Sequence, residues 1–274
     1  MGIRERIYSK RTVGRSIAIF ALVWAVQMKY IWALHNLYDD LPGNYSVYVA
    51  RLISMCGSLF FIWFFLPDGL KRFKVNLRGN RSGVFVGAMV AYFLTGYFEM
   101  RGQGLPISQI FDGGIFALFI GLDEEFFDRG FVFALLENWG VEIALFGSAV
   151  IFGAEHFSNY LYGEDSLNYV LGHMVAAAGF GYLMAAVLVA TGSIWVPVLF
   201  HASSDFPWVL MDPKENTSIV TGNTDWKMIL IGTATYVFMA RLILSGREMY
   251  LLKRIKFPMS GRLNSVLRYL GLVE

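Results

Sequence analysis

The chain has 274 residues, 56% of them hydrophobic and 16% aromatic, with a net charge of +2 and a mean hydropathy of +0.50. A water-soluble protein of this size needs far more polar surface, so the composition excludes one and points to an integral membrane protein. The net charge says little as a sum, no nucleic-acid partner is expected, and the single cysteine, Cys56, excludes a disulfide framework within the chain.

The spanning elements are predicted to be helices. The apolar runs are about 17–25 residues long and lack the alternation of barrel strands. Eight spans are expected, at 16–34, 46–66, 83–99, 113–137, 142–159, 168–190, 193–210 and 226–244. The basic stretch MGIRERIYSKRTVGR before the first run resembles the start of a signal peptide. That run, however, is long and no small-residue cleavage site follows it, so a retained span is expected. Together the spans read as one integral membrane domain over 1–274: a polytopic all-α bundle with a polar intramembrane cavity.

Charge in the loops sets the expected orientation. Arg4, Arg6, Lys10, Arg11 and Arg15 precede the first span, and Lys71, Arg72, Lys74, Arg78 and Arg81 fill the 67–82 loop. The 245–274 tail adds Arg247, Lys253, Arg254, Lys256, Arg262 and Arg268, whereas Asp39, Asp40, Glu164 and Asp165 mark the other face. Eight spans put all three basic segments on one side, which the positive-inside rule makes cytoplasmic, so both termini are expected there. In the tail, Leu263, Val266, Leu267 and Leu270 share one helical face, as in a helix lying on the anionic inner leaflet. A bacterial or archaeal cell membrane is the expected setting.

Five ionisable residues, Asp123, Glu124, Glu125, Asp128 and Arg129, crowd the fourth expected span. One charge at a bilayer centre costs about 2.5–3.5 kcal/mol even on the lenient insertion scale, so this group must face protein or a wet cavity. Glu125 and Arg129 are one helical turn apart, and the arginine can neutralise that acid. Glu124, about 100° round the helix, is left as the freer carboxylate. Phe152 and His156 share a face of the fifth span, and His201 and Asp205 share one in the seventh. Glu124, His156 and His201 sit roughly 12–21 Å from the cytoplasmic ends of their spans, by the helical rise. An acid and two imidazoles at similar depth around one water make a hydrolase-like set.

These residues also carry a resemblance. EEFFDRG resembles the EExxxR motif of the CAAX prenyl protease type 2 family of intramembrane proteases, also called CPBP or ABI. FGAEHFSN resembles its FxxxH motif, and GSIWVPVLFHASSDF its HxxxN/D motif with the preceding small-residue turn. The three occur in the family's order across about 107–207, which makes that stretch the expected catalytic core. The resemblance implies an intramembrane endopeptidase that cuts near the C-terminus of a membrane-bound or lipidated protein. It implies Glu124 as the base that activates water, His156 as a partner holding that water, and His201 and Asp205 as the oxyanion side. Glu125 and Arg129 are then a supporting pair.

Position 205 departs from the prenyl-protein-processing members, which carry Asn there. An amide donates to an oxyanion, whereas an ionised carboxylate repels it. Either Asp205 is protonated, or it orients His201 and the imidazole donates alone; the second is preferred. A zinc site of one Glu and two His is the other way to use these residues. HExxH spacing is absent, so a metal-free glutamate mechanism without cofactor is expected.

Other uses of the same residues stay open. Glu124, Glu125 and Arg129 could form a buried ion network that only joins helices. Asp123 and Asp128 are expected to satisfy neighbours or line the cavity rather than to be catalytic, Glu155 to pair with another helix, and His173 to be a packing histidine. Trp24, Trp32, Trp195, Trp208 and Trp226 read as interfacial anchors. Bacteriocin-type peptides or C-terminal sorting tails of surface proteins are alternative substrates, and a non-catalytic immunity or scaffold protein is the alternative class. A transporter would more often show two related halves, and none are found.

Overall fold

The computed structural model describes residues 45–66, 104–161, 166–210 and 224–244, with 73, 90, 92, 94–98 and 102. The expected span 16–34, the 245–274 tail and most of 67–99 lie outside them. Among the described residues there is no strand, and the all-α expectation holds. In chain order the helices are α1 (Tyr45–Phe65), α2 (Ile107–Glu125), a π-helical segment (Phe126–Val132), α3 (Phe133–Leu136), a 3-10 turn (Glu137–Trp139), α4 (Val141–Glu155), α5 (Ser158–Leu161), α6 (Leu167–Thr191), α7 (Trp195–Leu210) and α8 (Trp226–Leu244).

Among the described residues, four stretches are long and apolar enough to cross a membrane: Tyr48–Phe65, Val141–Leu161, Leu167–Thr191 and Trp226–Leu244. They correspond to the expected second, fifth, sixth and eighth spans. The fourth expected span begins earlier than predicted. Pro106 is extended at its N-terminus, and helix starts at Ile107 rather than 113. Asp112, Gly113 and Gly114 lower the local hydropathy, yet both glycines lie on the helix and face α7, toward Leu210 and Phe206.

The middle of that span also departs from a plain α-helix. After Glu125 the backbone widens over FFDRGFV, and the N–H of Phe133 reaches back five residues to the carbonyl of Asp128. All seven residues of the segment are buried. A wide turn inserts extra residue length and turns the following helix relative to the preceding one. Phe127, Phe131 and Val132 pack on Ile62 and Leu66 of α1, while Arg129 faces α4 and α6.

α4 and α8 both pack along α6, and α7 packs along α2. The main core joins Leu183–Leu188 of α6 to Phe133, Leu145, Ile194 and Val196. Two glycines make the site's geometry possible. At Gly121 an added Cβ would lie 2.7 Å from the Val198 carbonyl oxygen and 3.0 Å from the Ala202 nitrogen, so only a residue without Cβ allows α2 and α7 to cross this closely. Gly192 takes φ +68° and ends α6 with its N–H on the Leu188 carbonyl, which frees the chain to turn into α7.

Candidate functional site

The Gly121 crossing sets the carboxylates at the end of α2 against the middle of α7. His201, on α7, points its Nδ1 at Glu125 Oε1, 2.8 Å away. The other glutamate oxygen, Oε2, faces Arg129 Nε at 3.1 Å, so the expected one-turn pair is present. Glu125 and Arg129 are both fully buried. Arg129 donates from Nη2 to the Gly181 carbonyl on α6 at 2.9 Å, and its guanidinium lies 4.7 Å from the centre of the Phe152 ring. One arginine thus ties the π segment to α4 and α6. Burying such charges is costly unless each finds a partner, and here Glu125 and Arg129 provide for each other.

Glu124, expected to be the freer carboxylate, is more exposed than Glu125 but has a cation of its own. Its Oε1 accepts from Arg51 Nη1 at 3.1 Å, and the same nitrogen donates to Asp123 Oδ2 at 3.0 Å. Arg51 comes from α1, outside the three motifs, and sequence reasoning missed it. The available signal was a lone cation set in the apolar run YSVYVARLISM, where a bilayer-facing arginine would be expensive. Glu124 Oε2 lies 3.6 Å from His201 Nε2, and Asp205 Oδ2 lies 3.4 Å from that nitrogen. The predicted His201–Asp205 contact within α7 therefore forms. His201 has Glu125 on one nitrogen, with Glu124 and Asp205 around the other.

His156 ends α4. Its Nδ1 lies 2.9 Å from the Phe152 carbonyl, which can only accept, so Nδ1 carries the hydrogen and Nε2 is left for other partners. The Phe152 ring joins the two histidines, with its centre 5.1 Å from that of His156 and 5.7 Å from that of His201. His173 on α6, expected only to pack, stacks its edge on His156 at 4.4 Å between ring centres. Asp128 is fully buried, 3.9 Å from Arg129 Nη1, and neither of its carboxylate oxygens has a hydrogen bond among the described residues. Glu155 keeps a buried Oε1 without one.

A cavity of about 330 Å³, lined by Tyr48, Gln109, Asp112, Phe116, Val209 and Leu210, lies toward the other end of α2 from Glu124. Among the described residues, no three His, Cys, Asp or Glu side chains gather as a metal site. Of the tryptophans expected as anchors, Trp208 is exposed, whereas Trp195 packs against the core and donates to the Phe73 carbonyl at 2.8 Å.

Packed apolar helices around a cluster of acids, histidines and arginines define an integral membrane protein with a polar site between its helices. Residues 106–207 match the family model described as Type II CAAX prenyl endopeptidase Rce1-like. The match covers less than half of the chain, yet it takes in all three motifs and the whole α2–α7 cluster apart from Arg51. The chain therefore carries a segment similar to a family of proteases. No curated protein and no solved structure matches the chain.

Proposed function

We propose that the protein is a glutamate-dependent intramembrane endopeptidase that hydrolyses a peptide bond near the C-terminus of a membrane-bound or lipidated protein. One observation carries the proposal: Glu124 and His201, from two helices, face each other at 3.6 Å, with the far side of His201 fixed by Glu125 at 2.8 Å. A water bonded to both from one side would give its proton to Glu124 as it attacks the scissile carbonyl. His201 would steady the water and the charge that develops, with Asp205 orienting His201 and His156 approaching from α4. Glu124 would then pass the proton to the leaving amine. Low dielectric around the site strengthens each of these contacts.

The reading is metal-free. The Arg51 guanidinium already sits on Glu124, and a fixed cation there opposes a divalent ion on the same carboxylate. Elemental analysis and chelator treatment of the purified protein test this, with activity expected to survive. The basic segments favour a cytoplasmic position for both termini, and the site would then open from that half of the bilayer. The segment match favours a prenylated or otherwise lipidated substrate. Bacteriocin-type peptides and sorting tails remain the alternatives that a comparison of membrane-protein C-termini, with and without the enzyme, separates.

The decisive variant is Glu124→Gln. A positioned general base contributes about 10²–10⁴-fold, so cleavage of a lipidated C-terminal peptide should fall by that factor while the protein inserts normally. Wild-type turnover by the inserted variant overturns the proposal.

A further inference from the structure

Resting on that hydrolase reading, we infer that Arg51 is a catalytic residue: the donor that binds the oxyanion formed when water adds to the scissile carbonyl. Both contacts of Arg51 use one nitrogen, Nη1, which bridges Asp123 and Glu124. Its Nε and Nη2 make no hydrogen bond among the described residues. Among the described residues, the guanidinium is anchored beside the base with donors left over.

Accessibility separates it from the other arginine. The side chain of Arg51 is 30% exposed, whereas that of Arg129 is 0% exposed and enclosed by Glu125, Gly181 and Phe152. A substrate carbonyl can reach only the first. Chemistry at position 205 points the same way. A carboxyl side chain there has no N–H, so the anion side of the site lacks the amide donor that Asn would supply. Arg51 fills that deficit from α1, beyond the matched segment 106–207.

The step balances without any co-reactant. Water loses a proton to Glu124 as its oxygen bonds the carbonyl carbon. The carbonyl π pair moves onto oxygen, and the resulting anion takes N–H bonds from Arg51. On collapse the C–N bond breaks, and Glu124 returns the proton to the amine. Donors of this kind act at about 2.7–3.1 Å from the oxyanion and contribute about 10²–10³-fold in kcat.

The test measures turnover of a lipidated C-terminal peptide and binding of its phosphinic analogue, a tetrahedral anion, by the full-length protein in detergent. Arg51→Ala should lower kcat by about 10²–10³-fold with KM nearly unchanged, and weaken the phosphinic analogue in parallel, because an oxyanion donor acts on the transition state. Arg51→Lys should recover part of both losses, since an ammonium carries three N–H donors and can keep one for the oxyanion while two hold the acids. Arg51→Gln gives the same comparison if the alanine variant does not fold. If kcat falls while the phosphinic analogue binds as in wild type, or if KM alone rises, the inference is overturned. Glu124→Gln is measured alongside; its full activity rejects the base assignment whatever Arg51 does.

Discussion

Nδ1 of His201 lies 2.8 Å from Oε1 of Glu125, the second glutamate of the motif, while Glu124 faces the opposite ring nitrogen at 3.6 Å. Adjacent acids on one helix thus take different partners. Glu125 joins the buried Arg129 to His201 and fixes the ring, and Glu124 is left on the side that Arg51 and Asp205 border. The division follows from the roughly 100° between successive helical residues and from a crossing close enough to bring α7 between them.

Substitutions at Glu125 should therefore damage folding and turnover separately. Glu125→Ala leaves Arg129 buried without its closest carboxylate, and breaking a buried pair costs about 3–5 kcal/mol; little folded protein should be recovered. Glu125→Gln keeps an oxygen for His201 but turns an amide toward Arg129. A charge-assisted hydrogen bond contributes about 1.5–3 kcal/mol, so kcat should fall by about 10- to 150-fold in the fraction that folds. Thermal unfolding in detergent and peptide cleavage read the two effects. A Glu125→Gln enzyme with normal turnover would show that the charge of Glu125 is not needed to hold His201 in place.

Gly121 and Gly114 lie on the same helix and should respond oppositely to alanine. At Gly121 the new methyl meets backbone atoms of Val198 and Ala202 at 2.7 and 3.0 Å, which cannot yield without moving α7. Overpacking of this sort costs about 1–3 kcal/mol, and it should also separate His201 from both glutamates. At Gly114 the methyl meets only the Phe206 ring, at 3.6 Å, an ordinary contact. Gly114→Ala should keep its activity and gain up to about 1 kcal/mol from helix propensity. Equal effects at the two positions would mean that the crossing does not set the site.

Much of this arrangement is local, and so was legible in the chain. Hydropathy placed α6 and α8 to within a residue, and one-turn spacing gave Glu125–Arg129, Phe152–His156 and His201–Asp205 without any tertiary information. What the sequence hid depends on the crossing of distant segments. Arg51 meets Asp123 and Glu124 across more than seventy residues of chain, and no local pattern announces that. The π segment was hidden for another reason. Its backbone is not announced by FFDRGFV, which holds no proline, and the segment packs on α1 and, through Arg129, on α6.

His173 offers the sharpest separation of packing from chemistry. Its ring meets His156 edge-on, 4.4 Å between centres, and its Nδ1 is buried without a hydrogen bond among the described residues. If the contact only steadies His156, a phenyl ring should serve equally well, and removing an unsatisfied polar atom should raise stability. His173→Phe should then melt at or above the wild-type temperature and keep its turnover. His173→Ala removes the ring contact; an aromatic pair contributes about 0.5–1.5 kcal/mol, and losing it should slow cleavage by about 2- to 13-fold through a mobile His156. Should the phenylalanine variant be as slow as the alanine one while melting normally, the imidazole itself is required. His173 would then belong to the proton path rather than to the packing around it.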